Sequence, residues 1–241
     1  MSTQSEIPSL EIIHENKDYI VVNKSAGHIS EKSLYEEITT ESLTLKHLLV
    51  AKKKTFIGVI HRLDRVTSGA LIFAKKRSVL VAFNQLFSER KVQKTYLAIV
   101  KNEPKKSSGD LLNYIVKNNL EKRADIEQSP SKEAKESILS YKVIGKNNFG
   151  YLLEIKPKTG RFHQIRIQLA NISLPIIGDI KYGSEDEYQA LSICLHAWKI
   201  TYQIPDTKES KTWEAPLPKN EFWKFNTIDF KEKLNFQKGV K

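Results

Sequence analysis

The most constraining feature of this chain is a polar nonapeptide, His61-Arg62-Leu63-Asp64-Arg65-Val66-Thr67-Ser68-Gly69, set between two apolar runs at 56–60 and 70–74. Short apolar runs bounded by polar, glycine-containing segments read as buried strands. The nonapeptide is then a loop held between two strands. Its one carboxylate, Asp64, is bracketed by two arginines, and opposite charges within a few ångströms favour the ionised form. An ionised carboxylate is what nucleophilic attack or proton abstraction requires. A salt bridge at a strand end would give the same local pattern, so a functional reading needs a second constellation.

That constellation is Thr159-Gly160-Arg161-Phe162-His163-Gln164-Ile165-Arg166-Ile167-Gln168-Leu169. The spacing predicts a helix from Thr159 or Gly160 to Ala170, with Ile165 and Leu169 anchoring it in the core at i, i+4 and with first-turn N–H groups that suit a phosphate. Arg166, beside that stripe, faces inward. A part-buried guanidinium needs an anion, and Asp64 is a candidate. An exposed basic helix face is the alternative.

Elsewhere, residues 11–24 read as a hairpin turning at Glu15-Asn16-Lys17-Asp18. Ser42 is a plausible N-cap for a helix carrying Leu45, Leu48 and Leu49, with Lys52 to Lys54 suiting its C-terminus. Residues 77–90 place Val79, Leu80, Phe83, Leu86 and Phe87 on one helical face. Residues 93–100 alternate as a strand. The polar stretch 101–136 reads as an exposed excursion with at most one short strand near 111–116 and a mobile tip. Strands are expected again at 137–144, 151–155 and 195–202. Short hairpin turns outnumber long crossovers, so the class is α+β, with a mixed, mostly antiparallel central sheet, flanking helices and a central cleft. The domain is expected to span 10–225, with 1–9 and 226–241 as peripheral tails.

The chain has 241 residues and a formal net charge of +11, which fits a polyanionic partner. Its 40% hydrophobic content can build a sizeable core, which excludes global disorder. A single cysteine, Cys194, excludes an intrachain disulfide and a Cys-based zinc site. The N-terminus lacks a secretory pattern, and no apolar run approaches the roughly 20 residues of a bilayer span. A soluble, cytoplasmic protein without a membrane partner is therefore expected, with a monomer as the default. The scattered histidines, His61, His163 and His196 among them, lack metal-ligand spacing, so no metal is expected.

Together the two constellations resemble the RluA-type pseudouridine synthases. H-R-L-D-x-x-T-S-G is His61 to Gly69, K-x-Y-x-A-x-V is Lys94 to Val100, and G-R-x-H-Q-I-R is Gly160 to Arg166. The resemblance extends through Val21-Val22-Asn23-Lys24-Ser25-Ala26-Gly27, Pro175-Ile176-Ile177-Gly178-Asp179 with Tyr182-Gly183, and Leu195-His196-Ala197, covering roughly residues 11 to 218 in the family's order. Ser25, Gln168, Leu174 and Ile204 depart from residues usual in the family, and none falls on the expected nucleophile or its partners. The chain begins with the catalytic domain, leaving no room for an S4-type RNA-binding domain ahead of it.

The resemblance implies a pseudouridine synthase fold and isomerisation of specific uridines in rRNA or tRNA, with RNA as partner and neither cofactor nor metal. It implies that Asp64 is the catalytic carboxylate, that Arg166 pairs with it, and that Tyr96 stacks on the uracil. Arg62 is expected to fill the space of an everted base. His61, Arg65, Thr67, Arg161 and His163 complete the expected substrate contacts. Lys75, Lys76 and Lys158 are expected to track the RNA backbone. The alternatives are a non-catalytic RNA-binding or assembly protein on the same fold and a metal-dependent RNA hydrolase.

Overall fold

A computed structural model describes residues 9–51, 55–203 and 209–225. In chain order the elements are β1 (Glu11–Glu15), β2 (Tyr19–Lys24), α1 (Thr40–Ala51), β3 (Gly58–Val59), β4 (Ser68–Ala74), α2 (Arg77–Ser88), β5 (Val92–Val100), β6 (Ser108–Asn118) and β7 (Arg123–Glu127). They continue with β8 (Lys135–Lys146), β9 (Tyr151–Pro157), α3 (Gln164–Asn171), β10 (Leu195–Gln203) and β11 (Ser210–Glu214). The strands form one sheet in the order β1-β2-β4-β10-β5-β9-β8-β6-β7, with β3 on β4 and β11 on β10. Among the described residues only β10 and β4 pair in parallel. This is the mixed, mostly antiparallel α+β sheet that the short turns predict.

Strand periodicity of two sends alternate side chains to opposite faces. In β2, Ile20 and Val22 join the large core with Leu71, Phe73, Leu97, Ile99 and Leu169, while Tyr19 and Val21 join a second core with Phe83 and Leu86 of α2. The sheet centre is thus apolar on both faces, and polar groups collect where strands end.

Three expectations need correction. Ser42 is not the N-cap of α1: Thr39 Oγ1 accepts from the Ser42 N–H (3.0 Å) and Ser42 Oγ accepts from the Thr39 N–H (2.9 Å). That reciprocal pair starts the helix at Thr40, in the manner of a capping box. Lys52 to Lys54 lie outside the described residues, as does Ile204. The stretch 101–136 is not an excursion with one short strand. It contributes the eleven-residue β6, which runs along β8, and the edge strand β7. Its polar composition reflects strands near the sheet edge, where only scattered side chains such as Ile115 and Ala124 are buried.

The third correction concerns α3, which begins at Gln164 rather than at Thr159 or Gly160. His163 adopts a left-handed conformation (φ 51°), which a continuing helix cannot accommodate. The Gln164 side chain then takes over local bonding. Its Oε1 accepts from Thr159 Oγ1 (2.8 Å) and the Arg161 N–H (3.0 Å), and its Nε2 donates to the Ile138 carbonyl (3.1 Å). The N–H of Arg161, expected to be open to a phosphate, is therefore occupied.

Candidate active site

The polar nonapeptide crosses the C-terminal side of β3 and re-enters the sheet at β4, tied down by backbone contacts on several sides. Ser30 Oγ donates to the Leu63 carbonyl (2.8 Å) and accepts from its N–H (2.9 Å). The Gly27 N–H donates to the Arg65 carbonyl (2.8 Å) and the Ile193 N–H to that of Val66 (3.2 Å). Lys24, 1% exposed, spends its three donors on the carbonyls of Ser25, His28 and Arg65 (2.9, 2.7 and 3.1 Å). Burial drives its pKa down to about 7, against a pull upward from Asp64. At the loop's end Gly69 (φ +118°) pairs with Ala197. A Cβ at this position would stand 2.3 Å from the Ala197 carbonyl oxygen, so only glycine lets β4 and β10 meet here.

So tethered, the loop delivers Asp64 to Arg166. The guanidinium is 5% exposed and holds two carboxylates: Nη1 donates to Asp64 Oδ2 at 3.3 Å, while Nε and Nη2 donate to the two oxygens of Asp179 at 2.7 and 2.8 Å. The bidentate pair with Asp179 is the tighter one. Burial opposes the charge on Arg166, but Asp179 and then Asp64 more than offset it, so its pKa rises. Asp179 follows Gly178 (φ +85°), where a Cβ would come within 2.7 Å of Tyr188 Cβ. The role of Asp179 went unread in the sequence. Its signal was Gly178-Asp179 itself, a carboxylate after a glycine in an otherwise apolar stretch.

Burial pushes the Asp64 carboxyl above the ordinary aspartate range, with the charge and hydrogen bond of Arg166, then Lys24 and Arg62, pulling it back. The bracketing arginines are not its main counter-ions, contrary to the expectation from the loop. Arg62 pairs with Glu31 (2.6 Å) and Arg65 with Glu36, both at the surface.

His163 approaches Asp64 from the other side, its Nε2 3.7 Å from Oδ2. The hydrogen-bond order favours one tautomer. Tyr182 Oη accepts from the Ala124 N–H (2.7 Å), so its one proton goes to His163 Nδ1 (2.8 Å). Burial holds the phenol of Tyr182 up at about 12, so that proton stays in place. Nε2 then carries the histidine's own hydrogen, directed at Asp64. The imidazole is neutral, since burial, with Arg166, Lys181 and Lys117 adding to it, lowers its pKa to about 3.

Asp64, Tyr96 and Arg166, with Thr67 and His163, line one recess of about 110 Å³. That is the order of the ~150 Å³ cavity known to accept a benzene ring. Tyr96 is 8% exposed, and burial followed by the Asp64 charge raises its pKa, so its hydroxyl stays protonated. Thr67 is 2% exposed and its hydroxyl has no partner among the described residues. The recess opens into a cleft of about 1280 Å³ whose walls carry Lys32, Arg62, Lys94, Lys117, Lys156, Lys158 and Arg161 against Glu31 and Asp64.

The structure therefore gathers Asp64, Tyr96, Thr67, His163 and Arg166 around the recess, with Arg62 and Arg161 lining both the recess and the cleft wall, and spreads the other expected residues. Arg161 Nε donates to the Glu136 carbonyl (3.2 Å). His61 also lines the cleft, but its Nε2 accepts from the Ile72 N–H (3.2 Å) and its ring stacks on Phe87. Arg65 is held on Glu36. Of the three lysines expected to follow the backbone, Lys158 lines the cleft, while Lys75 and Lys76 are bonded to Glu15 and Asp18 beside the β1–β2 turn.

Comparison with known proteins gives this geometry a family. The model of the RNA pseudouridylate synthase family matches residues 18–171, which contain the loop 61–69, β5 and α3. The chain belongs to that family, in its RluA-type branch. It is an RNA pseudouridine synthase. It is 32% identical to tRNA pseudouridine synthase C of Vibrio parahaemolyticus over 93% of this chain and 97% of that one. It is 34% identical to an uncharacterized RNA pseudouridine synthase of Haemophilus influenzae, over 89% and 90%. Ribosomal large subunit pseudouridine synthase D of Borreliella burgdorferi is 33% identical over 83% of this chain but only 63% of its own length. Among solved structures, human RNA pseudouridylate synthase domain containing 4 shares the fold, with a TM-score of 0.72 at 22% identity over 93% of both chains.

Proposed function

We propose that this pseudouridine synthase isomerises a uridine of folded tRNA or rRNA in the recess around Asp64, as a cytoplasmic, monomeric enzyme whose catalytic domain spans residues 10–225 and needs no cofactor or metal. The observation that carries the assignment is the Asp64–Arg166 pair, 3.3 Å long, at the floor of a ring-sized recess that opens on a basic cleft. A tRNA is the substrate to try first, because the Vibrio tRNA enzyme is matched along almost its whole length.

A uridine within structured RNA is unstacked and everted, at a cost of a few kcal/mol. The cleft cations hold the backbone, and Arg62, on the exposed wall, takes the space the base leaves. In the recess, Tyr96 stacks on the uracil. The N1–C1′ bond breaks, the base turns, C5 bonds to C1′, the C5 proton is lost and N1 gains one; no net oxidation occurs. Positive charge develops on the ribose as N1 departs. Asp64 stabilises it, by attack or through space, as a carboxylate does in glycoside hydrolysis. Arg166 keeps Asp64 oriented and ionised, and the neutral His163 adds a hydrogen-bond donor without adding charge.

The test is pseudouridine mapping of total RNA from cells with and without the gene, followed by conversion of the identified RNA by the purified chain. Loss of one site, restored by the wild-type chain and not by Asp64→Asn, supports the reading. RNA binding without isomerisation would favour the assembly protein, and activity abolished by EDTA would favour the hydrolase.

A further inference from the structure

Lys94 differs from the other cations of the site. It lies on β5 two residues before Tyr96, so its side chain leaves the strand on the same face. Both the cleft and the recess are lined by Lys94, and they share with it Asp64, Thr159, Gly160 and Arg161. Lys94 therefore stands at the throat between them. Gly160 leaves room for it: a Cβ there would sit 3.3 Å from Lys94 Nζ.

Several neighbouring cations are held by partners within the fold. Arg62 has Glu31, Lys156 has Glu154, Lys24 has three carbonyls and Arg166 has two carboxylates. The Lys94 ammonium makes no hydrogen bond or ion pair with any described residue, and its contact with the Phe87 ring, 5.9 Å from Nζ, is at the outer range of a cation–π interaction. A withdrawn ammonium without a counter-ion costs stability, and burial lowers its pKa accordingly. The fold keeps this charge where RNA must pass.

We propose that Lys94 is an anion subsite at the throat, taking a phosphate next to the everted uridine. The inference rests on the isomerase reading above. Eversion carries the ribose inward with the base, so a flanking phosphate arrives at the mouth of the recess, where Nζ has no competing partner. An ammonium suits the task because it binds phosphate as a point charge with freely rotating donors. It can hold the backbone while the ribose below shifts its bond from N1 to C5.

The experiment uses a substrate oligonucleotide in which the phosphate 5′ or 3′ to the target uridine is replaced by a neutral methylphosphonate, with wild-type chain and Lys94→Met. Each single change should weaken binding about 10- to 100-fold, the range of a lost charged hydrogen bond. At one of the two positions the combined loss should be no larger than either single loss. Lys94→Met should also lower the magnitude of the salt slope by about 0.7 and keep or raise the melting temperature, while Lys94→Arg restores most of the affinity. Additive losses at both positions, or a lower melting temperature in Lys94→Met, would overturn the subsite. Binding decides the role of Lys94, and product formation by wild type on the unmodified oligonucleotide decides the isomerase reading, so the two can fail separately.

Discussion

Two loops bring carboxylates to one guanidinium, and they do it differently. The loop after Gly178 delivers Asp179, 1% exposed, to the far edge of Arg166 through two bonds of 2.7 and 2.8 Å. The loop between β3 and β4 delivers Asp64, whose side chain is 28% exposed, through one bond of 3.3 Å. Asp179 is positioned to hold; Asp64, on the proposed function, is left to react. Using separate carboxylates lets Arg166 be fixed by one while the other keeps an oxygen free towards the recess.

The largest stability effect should come from breaking the holding pair. Asp179→Asn or Asp179→Ala leaves the Arg166 charge buried with only its looser partner, which typically costs about 3–5 kcal/mol. Denaturant titration should show that loss, with turnover falling in step because Asp64 loses its reference. A variant as stable as wild type would place the anchor of Arg166 elsewhere.

Tyr182→Phe comes next. It removes the acceptor for the Ala124 N–H and the donor to His163 Nδ1, so about 1–3 kcal/mol should be lost. The more specific readout is the imidazole itself. Nitrogen NMR of His163 should show the Nε2–H tautomer in wild type and a mixture in Tyr182→Phe. An Nδ1–H tautomer in wild type would contradict the hydrogen-bond order from Ala124 through Tyr182 to His163.

The smallest effect concerns the reactive carboxylate's share of stability. The folded-state pKa of Asp64 is raised. The folded state therefore holds that proton more tightly than the unfolded chain, and stability falls as pH rises from the unfolded value of about 3.9 through the folded one. Above that window ionised Asp64 is a standing burden. Asp64→Asn should match or slightly exceed wild-type stability at neutral pH, and the gain should vanish below about pH 4. Activity follows the other limb: kcat/KM should fall as pH drops through the raised carboxyl pKa.

How much of this was legible in the sequence depended on how each residue signals. The loop 61–69 was readable because a polar nonapeptide between apolar runs has few alternatives, and β5 and α2 because their periodicity is strong. β6 and β7 were hidden since strands at and next to the sheet edge bury little and tolerate Lys, Asn and Glu. The start of α3 was misplaced because propensity does not foresee a left-handed histidine followed by a glutamine whose side chain bonds back to residues 159 and 161. Asp179 and Lys94 lay within quoted motifs, yet their importance depends on which partner each has or lacks, and that is settled by packing between distant segments.

The most direct test of the central assignment is single-turnover pseudouridine formation by Asp64→Asn on the mapped RNA, with binding and melting temperature measured on the same sample. The expected result is a fall in rate of about 10³-fold or more, with RNA affinity within several-fold of wild type and undiminished stability. Turnover near the wild-type rate would contradict the assignment of Asp64, and with it the division of labour between the two carboxylates.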